Sequence, residues 1–297
     1  MRICIIYAGI STEREISIKT AEQIMKSLDK DKYDICELKI DRTEDIFKIK
    51  DMNVDLAFIA LHGKFGEDGR VQAILEAMNI RYTGPGVLAS GICMDKDIAK
   101  RVLSTYGIRT AKWWTIRKGE EFTYPKEYEK LIVKPNSGGS SIGVHFISNQ
   151  QELDEALKDI FTMDDEAIME EVIEGDEVSV PIIDGVAYPP IKIEALKGTY
   201  FDYTSKYSDG GAREYVTKFS DNLEKELKEF TEKAYYAAKC KGYSRVDFLV
   251  RDDKAYFMEV NTLPGMTATS LLPKSLASVG IGYRETLELL IKASLGE

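Results

Sequence analysis

Two hydropathy signatures alternate along the chain: short β-branched apolar runs, and amphipathic stretches with helical spacing. Arg2–Tyr7 (RICIIY) is the first run, apolar and β-branched as a buried parallel strand is. A small-residue loop, Ala8–Thr12, leads to a helical pattern from Glu13 to Leu28. Further strands are predicted at Asp34–Ile40, Asp55–Leu61 and Arg81–Thr83, with a helix over Val71–Met78. This alternation predicts an α/β layer over the first ~90 residues.

A second unit begins near Asp95. It reads as a helix over Lys96–Tyr106, a strand at Leu131–Lys134, a Gly/Ser loop at Gly138–Gly143 and a strand at Val144–Ile147. A helix over Gln151–Ile160 and a strand at Glu166–Glu171 follow. After Gly175 come strands at Val178–Ile183 and Ala187–Ile193, a helix over Leu223–Lys241, strands at Ser244–Val250 and Ala255–Val260, and a last helix, Tyr283–Leu295. Lys197–Tyr215 is polar, Tyr-rich and aperiodic, and a stretch that long is a functional lid or disordered. The expected domains are residues 1–92, 93–177 and 178–297, with the lid in the third.

Composition narrows the function classes. At 297 residues the prior is about two domains, and such a length buries a core without staples. Hydrophobic residues make up 44% and charged residues 30%, a balance that suits a soluble globular enzyme. The net charge of −10 argues against nucleic-acid binding by bulk charge. The apolar run Leu56–Leu61 falls far short of the ~20 residues that span a bilayer, so no membrane partner is expected. Ile3–Ala8 is too short for a secretory h-region and reads as a strand. Cys4, Cys36, Cys93 and Cys240 are scattered with no Cys-x-x-Cys pair, which disfavours disulfides and zinc and fits a reducing cytoplasm.

Several segments carry chemistry, each with a plainer alternative. Lys134-Pro-Asn-Ser-Gly-Gly-Ser-Ser-Ile-Gly143 offers free backbone N–H groups and a cation to phosphate oxygens; it lies between two strands and equally reads as a flexible hairpin turn. Gly84-Pro-Gly-Val-Leu-Ala89 matches a dinucleotide fingerprint, but no acidic residue lies between Ile98 and Gly119, so a structural turn is the better reading. Arg245-Val-Asp247 and Glu259-Val-Asn261 sit on consecutive strands, and residues i and i+2 share a strand face. A three-residue loop Asp252-Asp253-Lys254 would pair Arg251 with Ala255, and so Asp247 with Glu259 and Arg245 with Asn261. Opposed carboxylates repel unless a cation joins them, and an oxygen donor set suits Mg²⁺ or Mn²⁺. The alternative is a solvated edge with an Arg–Asp pair. His62-Gly-Lys-Phe-Gly-Glu-Asp-Gly69 follows a strand end, where open α/β sheets bind ligands, though His62 alone reads better as a hydrogen-bonded structural residue. Thr12 and Glu15 make a capping box. Glu13 either complements the helix dipole or accepts a ligand ammonium.

Together these segments resemble the D-alanine–D-alanine ligases of the ATP-grasp superfamily. The matching pieces are Ala8-Gly-Ile-Ser-Thr-Glu-Arg-Glu-Ile-Ser17, His62–Gly69, Tyr82-Thr-Gly84, Met94-Asp-Lys96, Ile132-Val-Lys-Pro135, Gly139-Ser-Ser-Ile-Gly143, Phe201-Asp-Tyr203, Lys206-Tyr207, Arg245–Asp247 and Glu259-Val-Asn-Thr-Leu-Pro-Gly-Met-Thr267. They occur in family order over nearly the whole chain. Asn136-Ser-Gly-Gly139 departs from the charged loop common in relatives.

The resemblance implies an ATP-grasp fold, in which a Rossmann-like α/β domain precedes two α+β subdomains that sandwich ATP. It implies ATP-dependent joining of two D-alanines through a D-alanyl phosphate, for peptidoglycan precursors, by a cytoplasmic homodimer. Lys96, Lys134 and Lys206 would supply positive charge, and Asp247, Glu259 and Asn261 would hold two Mg²⁺ or Mn²⁺ ions. Glu170 and Glu177 would hold adenine and ribose, with Glu171 and Ile173 offering backbone groups. Glu13 would receive the first D-alanine's ammonium, with His62 nearby. Arg245 and the Gly265 N–H would stabilise the oxyanion. Ser270 and Leu271 would bind the second carboxylate, and Ser140, Ser141 and Tyr207 would link the phosphate loop, the lid and Glu13. Three other readings compete. A D-alanine–D-lactate ligase would tend to carry His at Tyr207. A silent nucleotide-binding module would have lost part of the metal set. A nicotinamide-dependent dehydrogenase would need the missing acid after Gly84–Ala89.

Overall fold

The computed structural model describes residues 1–195 and 212–297. Among these, four parallel strands form the first layer: β1 (Arg2–Ala8), β2 (Asp34–Ile40), β3 (Leu56–Ile59) and β4 (Arg81–Tyr82), in the order β2-β1-β3-β4. Helix α1 (Arg14–Ser27) turns Ala21 and Ile24 onto Ile3, Ile5 and Ile6, and α2 (Arg70–Ala77) adds Val71 and Leu75 to the same core. The expected capping box is not formed: Glu13 occupies the N-cap of α1 without a side-chain cap bond. The Ser11 side chain intervenes, accepting the Glu13 N–H at 3.2 Å and donating to the His62 carbonyl at 2.6 Å.

The turn Gly84–Gly86 opens α3 (Val87–Met94), which is followed by α4 (Lys96–Ser104). The break falls at Asp95, whose side chain caps α4 by accepting the Ile98 N–H at 2.9 Å. The central layer is an antiparallel sheet of β5 (Trp113–Arg117), β6 (Leu131–Pro135), β7 (His145–Ile147) and β8 (Glu166–Glu171), in the order β5-β8-β6-β7. Helix α5 (Gln150–Ile160), capped by Asn149, lays Leu153, Ala156 and Ile160 on Leu131, Val133 and Met169.

The third layer contains β9 (Asp176–Ile183), β10 (Val186–Ala187), β11 (Ile191–Ala195), β12 (Ala212–Val216), β13 (Tyr243–Arg251) and β14 (Lys254–Asn261), in the order β12-β11-β9-β13-β14 with β10 on β9. The single strand expected over Ala187–Ile193 is split, because Pro189 and Pro190 have no N–H to give a ladder. The end of the expected lid is also regular: Ala212–Val216 pairs antiparallel with β11. Helix α6 (Asp221–Ala237), capped by Ser220, packs on this sheet, and α3 and α4 add Ala89, Ala99 and Leu103 to its core. Two last helices, α7 (Leu271–Ser278) and α8 (Tyr283–Leu295), return to the first layer, where Leu276, Leu287, Leu290 and Ile291 join the β1–β3 core. The C-terminal segment thereby fastens the first layer to the third beside the cleft.

Candidate active site

Two cavities open between the layers. One, of about 740 Å³, is lined by the loops after β1 and β3 and by the 260–271 segment. The other, of about 510 Å³, lies between the central sheet and the third layer. They share Lys96, Gly138–Ser140, Glu177 and Glu259. A ligand in either would meet the other at this common wall.

Of the carboxylates at that wall, Glu177 comes from β9 and Glu259 from the β13–β14 hairpin, which also sets Asp247 behind it. The turn is shorter than expected: Asp252 and Asp253, both at positive φ, form a two-residue connection that pairs Arg251 with Lys254. That register alone would set Asp247 against Met258. A β-bulge between Phe248 and Asp247 adds one residue on β14 and restores Asp247 opposite Glu259 and Arg245 opposite Asn261. The buried Asp247 carboxylate accepts from Arg245 Nε and Nη2 at 2.9 and 2.7 Å, from Asn261 Nδ2 at 2.8 Å and from Ser179 Oγ at 2.6 Å. Burial works against the Arg245 charge, but Asp247 and Glu259 outweigh it and raise its pKa, so the guanidinium stays charged. Carboxylate and amide oxygens on one face suit a hard divalent cation. No cluster of three or more His, Cys, Asp or Glu forms among the described residues. A cation here would therefore complete its shell from phosphate oxygens and water.

Cations face these carboxylates from α4 and from the central layer. Lys96, buried at the start of α4, donates to the Gly138 carbonyl at 2.5 Å and lies 3.7 Å from Glu259. Lys134 at the end of β6 pairs with Glu170 at 2.9 Å. Lys100, absent from the sequence reading, lies 3.1 Å from the other Glu170 oxygen and donates to Thr110 at 2.6 Å. Burial alone would raise the Glu170 pKa, but these two ammonium groups hold it down to about 2. Its carboxylate is thus spoken for on the protein side while lining the smaller cavity, as do Glu171, Ile173 and Glu177. Glu171 also accepts the Lys112 N–H at 3.1 Å. The loop between β6 and β7 carries Gly138, Ser140, Ser141 and Gly143 at positive φ. Successive N–H groups in such a backbone form an anion-binding concavity.

The larger cavity holds the remaining candidates. The Ser140 hydroxyl donates to Glu13, joining the glycine loop to the first layer. Gly63 passes close by, so that a Cβ would lie 2.7 Å from Glu13 Oε2 and 3.1 Å from Ser11 Cβ, and its φ of +69° is one that favours glycine. His62 is buried, and burial lowers its pKa against the pull of Glu13. A neutral ring facing the Leu263 carbonyl at 3.1 Å must carry its proton on Nδ1, leaving Nε2 to accept from Thr20 at 3.4 Å. His62 is thus both hydrogen-bonded within the core and part of the cavity wall. Glu67, from the same motif, accepts N–H bonds from Gly63 at 2.6 Å and Leu263 at 3.2 Å. Burial, with Glu13 as neighbour, pushes its pKa up to about 8. Gly265, Ser270 and Leu271 line the same cavity. Ser270 Oγ accepts the Thr267 N–H at 3.0 Å. Lys206 and Tyr207 lie outside the described residues. The residues missed by sequence reading, Lys100 and Ser179, are single polar positions inside regular elements, and only their distant partners mark them.

Comparison with known proteins agrees with this geometry. Residues 2–52 and 44–85 match the family described as D-ala D-ala ligase N-terminus, and residues 102–292 match D-ala D-ala ligase C-terminus. The chain is 42% identical over 299 residues to a D-alanine–D-alanine ligase of Clostridium beijerinckii, covering 99% of each chain. It is 43% identical to one of Clostridium perfringens, covering 99% of this chain and 98% of that one. Among solved structures, the Bacillus anthracis D-alanine–D-alanine ligase complexed with ATP superposes with a TM-score of 0.90 at 39% identity, covering 100% and 98%. A D-Ala:D-Ser ligase of Enterococcus faecalis superposes with a TM-score of 0.84 at 30% identity, covering 99% of each chain. The fold is that of the ATP-grasp enzymes. With both halves matched and near-complete coverage at this identity, the chain belongs to the D-alanine–D-alanine ligase family.

Proposed function

We propose that the chain joins two D-alanines in an ATP-dependent reaction that passes through D-alanyl phosphate and releases ADP and phosphate. The observation that carries this reading is the wall shared by the two cavities, where Lys96, the glycine loop and Glu259 face both. A nucleotide in the smaller cavity presents its terminal phosphate there, and an amino acid in the larger one presents its carboxylate.

In the first step a carboxylate oxygen of the first D-alanine attacks the γ-phosphorus, and the bond to the β-phosphate oxygen breaks. Phosphoryl transfer calls for alignment and charge neutralisation rather than a nucleophilic side chain. Lys96, Lys134 and Lys206 supply positive charge, and Glu13 orients the substrate ammonium with Ser140 and Tyr207 around it. Asp247, Glu259 and Asn261 would hold two Mg²⁺ or Mn²⁺ ions, which neutralise phosphate charge when bound. Glu170, Glu171, Ile173 and Glu177 hold the adenosine. In the second step the neutral amine of the second D-alanine, its carboxylate on Ser270 and Leu271, attacks the acyl carbon. Arg245 and the Gly265 N–H stabilise the oxyanion, and phosphate leaves.

The same family likeness supports a place in peptidoglycan precursor synthesis, a cytoplasmic location and a homodimer. No helix among the described residues is long and apolar enough to cross a membrane. Phosphate release with ATP, Mg²⁺ and D-alanine tests the reading, with L-alanine alone and with D-serine or D-lactate added to D-alanine in parallel. Release with D-alanine alone, and a dipeptide product, is expected. Faster release with D-lactate or D-serine at neutral pH would assign a different second substrate, and release independent of any amino acid would refute ligation.

A further inference from the structure

Asn136 lies between Pro135, the last residue of β6, and the glycine loop, and it is 3% exposed. Every hydrogen-bonding group it owns is used. On the central-layer side, its N–H donates to the Glu166 carbonyl at 3.0 Å and its Nδ2 to Glu166 Oε2 at 3.2 Å. On the other side, its carbonyl accepts the Lys96 N–H at 3.1 Å and its Oδ1 accepts the Asp97 N–H at 2.9 Å. Those are the first two N–H groups of α4, which have no acceptor within their own helix. Asp95 caps only the third, that of Ile98. Asn136 therefore caps α4 from outside, across a gap of forty residues in sequence (96 to 136).

The two elements it joins belong to different cores. Helix α4 packs Ala99 and Leu103 into the third layer, whereas β6 packs Leu131 and Val133 into the central one. The cap fixes where α4 begins relative to the glycine loop. From that start, the Lys96 side chain reaches the Gly138 carbonyl at 2.5 Å and stands at the wall shared by the two cavities.

We propose that Asn136 is a positioning residue for the nucleotide. By capping α4 it holds the Lys96 ammonium and the 137–143 loop in one arrangement around the terminal phosphates. This rests on the proposed ATP site and adds to it a residue that touches no ligand and acts through Lys96. Ser137 supports it from the next position, where its N–H and Oγ both donate to Asp164, at 2.7 and 2.6 Å.

Asn136→Ala leaves the Asp97 N–H buried without its acceptor, and Asn136→Leu does the same while refilling the volume. Losing one buried hydrogen bond predicts about a tenfold weaker ATP affinity and a similar rise in ATP KM, with D-alanine KM within about twofold of the parent. Asn136→Asp keeps the acceptor, and its charge meets the positive end of α4. It is expected to restore ATP KM to within about threefold, although its Tm falls because a carboxylate then faces Glu166 Oε2 where Nδ2 had donated. Calorimetry with ATP and Mg²⁺ reads the affinity without turnover, so it tests Asn136 even where D-alanine proves not to be the substrate. Absence of D-alanine-dependent phosphate release by the parent would instead count against the proposed function. Parent-like ATP affinity in both apolar variants would overturn the proposal. So would D-alanine and ATP KM values that rise together, or an Asp variant no better than Ala.

Discussion

Replacing Glu170 by Gln removes one carboxylate from between a buried and a half-buried ammonium group, 3.1 Å from Lys100 and 2.9 Å from Lys134. The amide oxygen can accept from one of them, and its NH₂ then faces the other. The carboxyl ionises at about 2 rather than the ordinary 4.5, although burial alone would push it the other way. That difference makes the charged form worth roughly 3 kcal/mol of folding stability. The sign follows from proton counting: between pH 4.5 and 2 the unfolded chain binds the proton and the folded one does not. Stability from this group is therefore complete above about pH 4.5 and is lost as pH falls through about 2. Both tryptophans, Trp113 and Trp114, lie on β5, and Trp113 pairs with Glu170 across the ladder, so fluorescence reports this layer. Urea unfolding followed at 350 nm should place Glu170→Gln about 3 kcal/mol below the parent at pH 7.5, with the gap closing towards pH 2.5. Equal midpoints at pH 7.5, or a gap independent of pH, would refute the ion-pair reasoning.

Four further outcomes follow from the proposed function. Glu259→Gln is expected to cut turnover by at least about 100-fold, on the scale of losing a group that stabilises transition-state charge, while calorimetry still detects weak ATP binding; unchanged kcat would remove Glu259 from the chemistry. Glu13→Gln should raise the KM for the first D-alanine by about tenfold, a charge-assisted contact's worth, and leave ATP KM alone, whereas parent kinetics would return Glu13 to a helix-terminal role. Lys206→Ala should slow phosphoryl transfer in rapid-quench experiments, and Tyr207→His should raise the use of D-lactate relative to D-alanine; parent behaviour in both would make that segment a passive loop.

How far the site was legible in the sequence depended on the range of the interactions. Alternation put Arg245 with Asp247 on one face of the first strand and Glu259 with Asn261 on one face of the second, because a strand's period is local; bringing the two pairs to a common face also took the assumed three-residue loop. The turn was not legible. Asp252 and Asp253 adopt positive φ without a glycine between them, and the bulge on β14 compensates for the shorter loop by one residue. The expected pairing thus arises from two departures that cancel, and each alone would have moved Glu259 out of register with Asp247. Helix α8 was legible as an amphipathic pattern, but not its partner: its apolar face is buried in the first-layer core beside α1 and β4, about two hundred residues or more earlier.

Lys100 and Asn136 show the same limit at the level of single side chains. Lys100 is one polar residue inside an ordinary helix, and Asn136 stands in the glycine motif without a role that the motif reveals; the meaning of each lies in Glu170, Asp97 or Glu166, brought near by packing alone. Motifs report the groups that touch a ligand, since those must recur at fixed spacing. The groups that hold them, drawn from whatever element passes nearby, leave no such spacing. That is why the second tier of this site, from Asn136 beneath Lys96 to Ser179 beneath Asp247, is where substitutions should alter affinity without contact.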